Sequence, residues 1–346
     1  MRTVDLRSDT KSLPSPEMRR AIAKAELGDD DSGEDPTVNR LEAMAAKMLG
    51  KEAALLVSSG TQGNLVSILA ETNRGDHILL GDQTHIYLGE GGGVAQIAGV
   101  SLYPLKNTDD GLFSLDEMKA TLHAGEYGWP KATLVCIENT QNLVGGKVVT
   151  PEMMRQAGEI ARSYNLPVHL DGARLFNAAV YLRVPVAELV KDVDSVTFCL
   201  SKGLACPVGS IVCGSKKMVD EARKWRKLLG SSMRQAGIIA AAGVVALEHM
   251  VDRLAEDHQN AYRLARGLAS IPGVEIDPEG VQTNLVFCKI AGAPGNELSQ
   301  RFAERGVKFY HMGQQRFRLV TYYGITSEDI DYALEGIEAV VRKQGR

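Results

Sequence analysis

The chain has the size and composition of an ordinary globular protein. It contains 346 residues, 44% of them hydrophobic and 24% charged, so a substantial buried core is expected. The formal net charge of −4 argues against a nucleic-acid partner or an anionic membrane surface. No apolar run approaches the ~20 residues that span a bilayer. The polar residues 1–9 lack the pattern of a signal peptide.

The five cysteines indicate a reducing compartment rather than a disulfide framework. At least three of them lie in apolar, strand-like runs, where cysteine behaves as a small hydrophobic residue. No two have the spacing of zinc ligands, and no histidine-rich helix face accompanies them. We therefore expect a cytoplasmic protein without a metal site.

The first part of the chain predicts two helices separated by an acidic loop. Residues 1–13 form a polar arm, and the Ser-Pro pair at 15–16 begins a helix. Residues 28–36, rich in Gly, Asp and Pro, predict an exposed loop. Thr37 caps the second helix, and Gly50 ends it.

Short apolar runs then alternate with amphipathic segments. Strands are predicted at 53–57, 77–80, 132–137, 168–170 and 196–200. This alternation predicts an α/β fold, a mostly parallel sheet with helices on both faces. In such sheets the ligand site lies beyond the carboxyl ends of the strands. Ser59, Asp171 and Lys202 all follow such ends.

The last part of the chain predicts a second, smaller α+β domain. A long helix over 236–266 leads into it. Strands follow at 274–276, 284–287, 307–310 and 317–320, with helices at 297–305 and 328–343. We expect residues 1–250, including the N-terminal arm, to form the large domain and residues 251–346 the small one.

Residues 195–214 carry the clearest chemical signal. Two apolar, β-branched runs, 196–200 and 209–213, predict buried strands on either side of Ser201-Lys202-Gly203. A lysine in such a place is costly to desolvate, and burial favours its neutral, nucleophilic form. The usual role of such a lysine is a Schiff base with a carbonyl substrate or with pyridoxal phosphate.

Two further stretches favour pyridoxal phosphate. A predicted strand ends on Asp171, and a carboxylate there would keep the pyridine nitrogen protonated. The segment 58–64 lies between a strand and a helix and contains Gly60 and Thr61. Backbone N–H groups at such a helix start hold a phosphate. Ser201, beside the lysine, could also reach it.

Six motifs, in order along the chain, resemble the low-specificity L-threonine aldolases. These belong to the β-eliminating-lyase branch of the fold-type I, aspartate-aminotransferase-like, pyridoxal-phosphate enzymes. The motifs are Leu6-Arg7-Ser8-Asp9-Thr10, Gly33-Glu34-Asp35-Pro36-Thr37, Ser59-Gly60-Thr61-Gln62-Gly63-Asn64, Asp171-Gly172-Ala173-Arg174, Cys199-Leu200-Ser201-Lys202-Gly203 and Met233-Arg234-Gln235. The resemblance implies a homo-oligomer, with a dimer of dimers expected.

The resemblance assigns roles around the cofactor. Lys202 carries it, and Asp171 holds its ring nitrogen. His85 stacks on the ring, hydrogen-bonds the substrate and serves as a base, directly or through water. Glu90 matches a family glutamate near the site, and Arg234 matches an arginine near the phosphate at a subunit boundary.

The resemblance also places the substrate carboxylate, which a guanidinium binds well because its planar fork is bidentate. The matching residues are Ser8, Arg174 and Arg318, and Arg174 also lies against the cofactor.

Three positions depart from the family pattern. Ser32 stands where a tyrosine is usual, and Tyr322 stands where a histidine is common. Gln141 replaces a histidine thought to contact the substrate β-hydroxyl. An amide can donate and accept hydrogen bonds but cannot carry a proton near neutral pH. We therefore expect Gln141 to bind substrate and to alter the substrate preference.

The leading interpretation is a pyridoxal-phosphate-dependent aldolase that cleaves β-hydroxy-α-amino acids of the threonine or allo-threonine type to glycine and an aldehyde. A related lyase, acting by β-elimination or another carbon–carbon cleavage with a different side-chain preference, is the alternative. A third possibility is a pyridoxal-phosphate-binding protein that has lost catalysis. The presence of Lys202, Asp171 and Arg318 argues against this last one.

Overall fold

The computed structural model describes residues 2–124, 127 and 130–345. Its strands are β1 (Val4–Asp5), β2 (Ala53–Val57), β3 (His77–Gly81), β4 (Ser101–Leu105), β5 (Ala132–Glu138), β6 (Val168–Asp171), β7 (Ser195–Cys199), β8 (Ser210–Gly214), β9 (Val274–Glu275), β10 (Leu285–Ile290), β11 (Val307–Lys308), β12 (Tyr310–His311) and β13 (Arg316–Val320).

The helices alternate with these strands in the first two thirds of the chain. They are α1 (Pro16–Ala23), α2 (Pro36–Leu49), α3 (Gly60–Glu71), α4 (His85–Leu88), α5 (Leu115–Ala124), α6 (Pro151–Ser163), α7 (Leu175–Leu182), α8 (Val186–Val190), α9 (Lys216–Leu228), α10 (Gly237–Val245), α11 (Leu254–Ala269), α12 (Gly295–Glu304) and α13 (Ser327–Val341). None of the described helices is long and apolar enough to cross a membrane.

A seven-stranded sheet forms the centre of the larger part of the molecule. Its strand order is β2-β8-β7-β6-β5-β3-β4, and β8 alone runs antiparallel to its neighbours. Alternate side chains enter opposite cores: Leu56 packs on the side of α2, whereas Leu55 and Val57 pack on the side of α9. The predicted α/β fold, with a mostly parallel sheet between helices, is confirmed.

A second hydrophobic core lies in the C-terminal part of the chain. It joins α11, α12 and α13 to a four-stranded antiparallel sheet of order β12-β13-β10-β9. Val4 and Leu6 of the N-terminal arm are buried in this second core, and Val4 pairs with Val307. The N-terminal arm, which we expected in the large domain, therefore packs on the C-terminal part of the chain. The reason is that its apolar side chains Val4 and Leu6 are buried in the second core.

Two predicted elements differ in the structure. The long helix over 236–266 is divided: α10 ends at Val245, a π-helical turn spans Ala246–Met250, and α11 begins at Leu254. The strand predicted at 307–310 is two short strands, β11 and β12, that pair in different sheets. All five cysteines are buried and free.

Candidate active site

The Lys202 loop connects β7 to β8 and is held from two sides. Ser12 Oγ of the N-terminal arm donates a 3.1 Å hydrogen bond to the Lys202 carbonyl. At Gly203 a Cβ atom would lie 2.9 Å from Leu254 Cδ2, so only glycine allows α11 to approach this closely. Ser201 and Lys202 are partly exposed. The lysine therefore stands on a fixed backbone at the sheet edge with its side chain reachable by ligands.

The start of α3 lies beside the same strand ends. Ser59 caps the helix by accepting a 3.2 Å hydrogen bond from the Gln62 amide. At Gly60 a Cβ atom would lie 2.8 Å from Cys199 Sγ, so glycine lets the helix start against the end of β7. The first amides of a helix, here those of Gly60 and the exposed Thr61, have no intrahelical partner. Amides in this position can bind an anion, and the predicted phosphate contact of Gly60 and Thr61 stays a prediction.

Asp171 ends β6 and is buried, with 2% of its surface exposed. Asn64 Nδ2 donates to Asp171 Oδ2 at 3.0 Å, and the Ala173 amide donates to Oδ1 at 3.1 Å. These two N–H donors fix the orientation of the Asp171 carboxyl group. The carboxylate oxygens of Asp171 can accept further hydrogen bonds, so they suit the protonated pyridine nitrogen of pyridoxal phosphate.

His85 begins α4 and is held by two carboxylates. Its backbone amide donates to Glu138 Oε2 at 2.6 Å, and its Nδ1 lies 2.9 Å from Glu90 Oε1. Asn64 Nδ2 also donates to Glu90, at 2.8 Å. Side-chain atoms of His85, Glu90 and Asp171 lie within 4.8 Å of one another. These contacts form a hydrogen-bonded cluster, and the expected absence of a metal stays a prediction.

The electrostatics of His85 connect this cluster with the lysine. The hydrogen bond that His85 Nδ1 donates to the Glu90 carboxylate raises the pKa of His85, and the charge of Asp171 adds to this effect. The charge of Lys202 opposes it. The predicted catalytic set of Lys202, Asp171 and His85 therefore lies in one site.

Arg174 forms a buried, bidentate ion pair with Asp9. Its Nε and Nη2 donate to the two carboxylate oxygens at 2.7 and 2.9 Å, and Asn284 Nδ2 donates to Asp9 at 3.2 Å. Burial alone would raise the pKa of Asp9, but the charge and hydrogen bonds of Arg174 lower it. Ser8 lies next to this pair and is buried. Its Oγ accepts hydrogen bonds from Thr10.

Arg318 lies close to this pair, and among the described residues no carboxylate forms an ion pair with it. Its Nη1 donates to Asn142 Oδ1 at 3.0 Å and its Nη2 to the Arg7 carbonyl at 3.3 Å. Within the described part of the chain its buried Nε has no partner. Burial lowers the pKa of Arg318 to about 10, and the charge of Arg174 adds to this effect. Two guanidinium groups and a single carboxylate leave a net positive charge here, which suits a carboxylate ligand.

The side-chain amide of Gln141 is hydrogen-bonded to backbone groups at both ends. Its Nε2 donates to the Gln83 carbonyl and its Oε1 accepts from the Val144 amide, both at 2.6 Å. The side chain is fully buried. Both ends of the amide therefore satisfy backbone groups. The substrate contact of Gln141 stays a prediction.

Arg234 and the acidic loop lie together at the surface. Arg234 Nη1 lies 3.2 Å from Asp29 and 3.4 Å from Asp31, and its side chain is 62% exposed. Asp30 of the same loop makes a buried ion pair with Arg226 of α9. Ser32 is exposed. The phosphate contact of Arg234 and the loop's place in an active site stay predictions.

Tyr322, the third departure, supports the arm. Its hydroxyl donates a 2.6 Å hydrogen bond to the Asp5 carbonyl, and 6% of its surface is exposed. The tyrosine thereby holds the segment that leads to Ser8 and Asp9.

Sequence reasoning assigned no role to four polar residues that organise the site, namely Asp9, Asn64, Glu138 and Asn142. Asp9 and Asn64 stood inside the quoted motifs, next to or near residues with roles. Asp9 is paired with Arg174, and Asn64 bridges Glu90 and Asp171. For Glu138 the available signal was a carboxyl group directly after the apolar run 134–137, since such groups are seldom buried without partners.

The residues present fit pyridoxal phosphate. Lysine, an oriented strand-end carboxylate and a helix start with free amides meet at the carboxyl edge of a mostly parallel sheet, where ligands of such sheets bind. The unpartnered Arg318 Nε offers a further buried donor. Together the fold and the site define a fold-type I pyridoxal-phosphate enzyme.

Comparisons with known proteins narrow this class. The beta-eliminating lyase family matches residues 5–291. The chain is 42% identical to low-specificity L-threonine aldolase 1 of Arabidopsis thaliana over 340 residues, 96% of this chain and 95% of that one. It is 38% identical to the low specificity L-threonine aldolase of Escherichia coli K12 over 327 residues, 94% and 96% of the two chains. Leishmania major threonine aldolase superposes with a TM-score of 0.81 at 18% identity, covering 97% and 99%.

The chain therefore belongs to the beta-eliminating lyase family, in the group of the low-specificity L-threonine aldolases.

Proposed function

We propose that this protein is a pyridoxal-phosphate-dependent aldolase that cleaves β-hydroxy-α-amino acids of the threonine type to glycine and an aldehyde. The observation that carries the proposal is the cluster of His85, Glu90 and Asp171, whose side-chain atoms lie within 4.8 Å of one another. It joins a base and a ring-nitrogen partner in one site. The names of the two curated relatives support the same activity.

Each group has a distinct task. When bound, pyridoxal phosphate withdraws electrons from the substrate Cα. Asp171 holds the proton on the ring nitrogen, and Lys202 holds the cofactor. Arg318, with its unpartnered Nε, binds the substrate carboxylate and orients the Cα–Cβ bond.

His85 moves the proton that cleavage requires. Its Nδ1 is engaged by Glu90, which leaves Nε2 to take the proton from the substrate β-hydroxyl, directly or through water. Because Glu90 raises the pKa of His85, the imidazolium formed in this step is stabilised. Gln141 has no part in the proton transfer, since its amide is bonded to backbone at both ends.

A product survey tests the proposed function. Purified holoenzyme is incubated with threonine, allo-threonine, serine and larger β-hydroxy amino acids, and aldehyde, glycine, ammonia and keto acid are measured. Equal amounts of aldehyde and glycine are expected. Ammonia with keto acid would instead identify an eliminating lyase, and no product with any amino acid would identify a binding protein without catalysis.

We propose that the active unit is at least a dimer, assembled as a dimer of dimers. Leu13, Leu88 and Leu228 support this, since they are large apolar side chains that are 68%, 57% and 72% exposed.

We propose that the loop around Ser32, together with Arg234, contributes to the active site of the neighbouring subunit. A Ser8→Ala protein mixed with an Arg234→Ala protein should then regain activity. A fully active monomer in sedimentation would contradict the sharing.

We propose a cytoplasmic location. All five cysteines are free and buried, which suits a reducing compartment. Fractionation of the source cells with an antibody to this chain is the test.

A further inference from the structure

A line of polar side chains runs between α3 and the sheet, behind Asp171, from the buried Asn64 to the partly exposed Glu71. Asn64 and Glu71 are seven positions apart on α3, which is about two turns, so they share one face. His169 of β6 and Ser195 of β7 are register partners in the sheet. His169 also precedes Asp171 by two positions, so both side chains lie on the same face of the sheet.

Consecutive members of this line are within hydrogen-bond distance. Asn64 Nδ2 is 3.0 Å from Asp171 Oδ2, and Asn64 Oδ1 is 3.2 Å from His169 Nε2. His169 Nδ1 is 2.9 Å from Ser195 Oγ, which is 2.8 Å from Glu71 Oε2. Asn64, His169 and Ser195 are each no more than 1% exposed, so these three side chains are out of contact with bulk solvent.

The two carboxylates fix the direction of the first links. Asn64 must direct its NH2 group to Asp171 and Glu90, because its oxygen would be repelled by both. Asn64 Oδ1 therefore accepts, and His169 Nε2 must carry the hydrogen that it donates. Burial lowers the pKa of His169 to about 4, so the ring is neutral and its Nδ1 is an acceptor.

The remaining links follow from the single hydrogen of the serine. Ser195 must donate to His169 Nδ1, so it has no hydrogen left for Glu71. The contact between Ser195 Oγ and Glu71 Oε2 then requires a hydrogen on the carboxyl group. Burial raises the pKa of Glu71 to about 7, which is consistent with a protonated carboxyl.

The charged groups around Glu71 do not offer a replacement partner. Asp194, which precedes β7, repels an ionised Glu71. On α9, Lys216 is paired with Asp220 and Lys224 with Glu221, both at 2.7 Å. Lys217 is exposed. The Cys136 thiol of β5 is also near, and burial keeps it neutral by raising its pKa.

We propose that Glu71, Ser195 and His169 form a one-way hydrogen-bond chain, with protonated Glu71 as the terminal donor, that positions Asn64 and through it Asp171 and Glu90. The proposal rests on the proposed function, in which Asp171 receives the ring nitrogen of the cofactor. Glu71, Ser195 and His169 are positioning residues that touch neither substrate nor cofactor.

Four variants test the hydrogen-bond chain. For each full-length variant, the affinity for pyridoxal phosphate is measured by equilibrium dialysis. Glu71→Leu and Ser195→Ala each remove one link, and we expect about tenfold weaker binding, the size of one lost hydrogen bond in a polar chain. Glu71→Gln keeps an N–H group that can donate to Ser195, so its affinity for pyridoxal phosphate should equal that of the natural protein. Ser67→Ala is the matched control, a buried α3 serine whose hydroxyl donates only to the Gly63 carbonyl.

Two readouts distinguish the chain from a general packing effect. The pH profile of the absorption band of the bound cofactor should change in Ser195→Ala and stay unchanged in Ser67→Ala. Infrared absorption spectra of the natural protein and of Glu71→Gln are also compared, both without cofactor and at neutral pH. The difference spectrum should show the carbonyl band of a protonated carboxyl group.

Natural affinity in both Glu71→Leu and Ser195→Ala, equal losses in Glu71→Gln and Glu71→Leu, or an ionised Glu71 in the infrared difference would each overturn the proposal. If the natural protein binds no pyridoxal phosphate, the proposed function fails instead. The infrared difference still determines whether Glu71 is the donor.

Discussion

The backbone amide of His85 donates a 2.6 Å hydrogen bond to Glu138 Oε2. The other oxygen, Oε1, accepts from the Asn142 amide at 2.8 Å, and Asn142 in turn binds Arg318. One buried carboxyl at the end of β5 thereby holds the start of α4, which carries the proposed base. It also holds the loop that orients the proposed carboxylate-binding arginine.

Glu138→Gln should weaken both contacts. An amide keeps one acceptor oxygen, and its NH2 group then faces one of the two backbone N–H groups. We expect a loss of about 1–3 kcal/mol in the free energy of unfolding and a lower kcat/KM for threonine. Glu152→Gln, at an exposed ion pair with Arg155, is the control and should change neither quantity. Natural activity and stability in Glu138→Gln would contradict the bridging role.

Gln141 is expected to act on stability rather than on substrate choice. Gln141→Ala leaves a buried N–H and a buried carbonyl without partners, so the free energy of unfolding should fall by about 1–3 kcal/mol. Gln141→Glu places an oxygen against the Gln83 carbonyl, so its loss of stability should shrink as pH falls and the carboxyl is protonated. Thermal unfolding at several pH values measures both effects. A changed ratio of kcat/KM between threonine and larger substrates would instead show that Gln141 selects the substrate.

Arg318→Lys should raise KM for the amino-acid substrate more than it lowers kcat. A lysine keeps the charge but loses the planar fork that binds a carboxylate. An increase of about tenfold to a hundredfold corresponds to the loss of one charge-assisted hydrogen bond. Arg316→Lys is the matched control on the same strand, since Arg316 donates to the Leu143 carbonyl instead. Equal effects of the two variants would contradict a specific carboxylate site at Arg318.

The stability of the full chain should depend on pH through Glu71. Burial raises the pKa of Glu71 to about 7 in the folded state, above the value near 4.3 of an unfolded chain. The folded state therefore binds more protons between these values, and stability must fall as pH rises from about 4 to about 7. Glu71→Gln should remove this contribution, on the order of 3 kcal/mol. Identical pH profiles for the two proteins would contradict the raised pKa.

Much of the fold could be predicted because its signals are local. The apolar run 196–200, its lysine and the second run to 213 mark two strands and a loop by composition alone. The residues around Asp171 and Gly60 likewise predict strand ends. The path of the N-terminal arm could not be predicted, since the pairing of Val4 with Val307 depends on which distant core has room for it.

The site was less predictable because its residues form hydrogen bonds with residues that are distant in the sequence. Asn64 contacts Glu90 and Asp171, which are 26 and 107 positions away in the sequence. Nothing in the local pattern indicates which face of α3 packs against the sheet. Gln141 was interpreted from its difference from a family histidine. That comparison identified the position but not the direction of the side chain, which the Gln83 and Val144 backbone groups determine.

The central claim is that Lys202 holds pyridoxal phosphate in an aldolase site. The most direct measurement is borohydride reduction of the holoenzyme, followed by proteolysis and mass analysis of the peptides. The account predicts a pyridoxyl group on Lys202 of the natural protein. A Lys202→Ala variant should carry no pyridoxyl group and should not cleave threonine. A pyridoxyl group on any other lysine, with Lys202 unmodified, would contradict it.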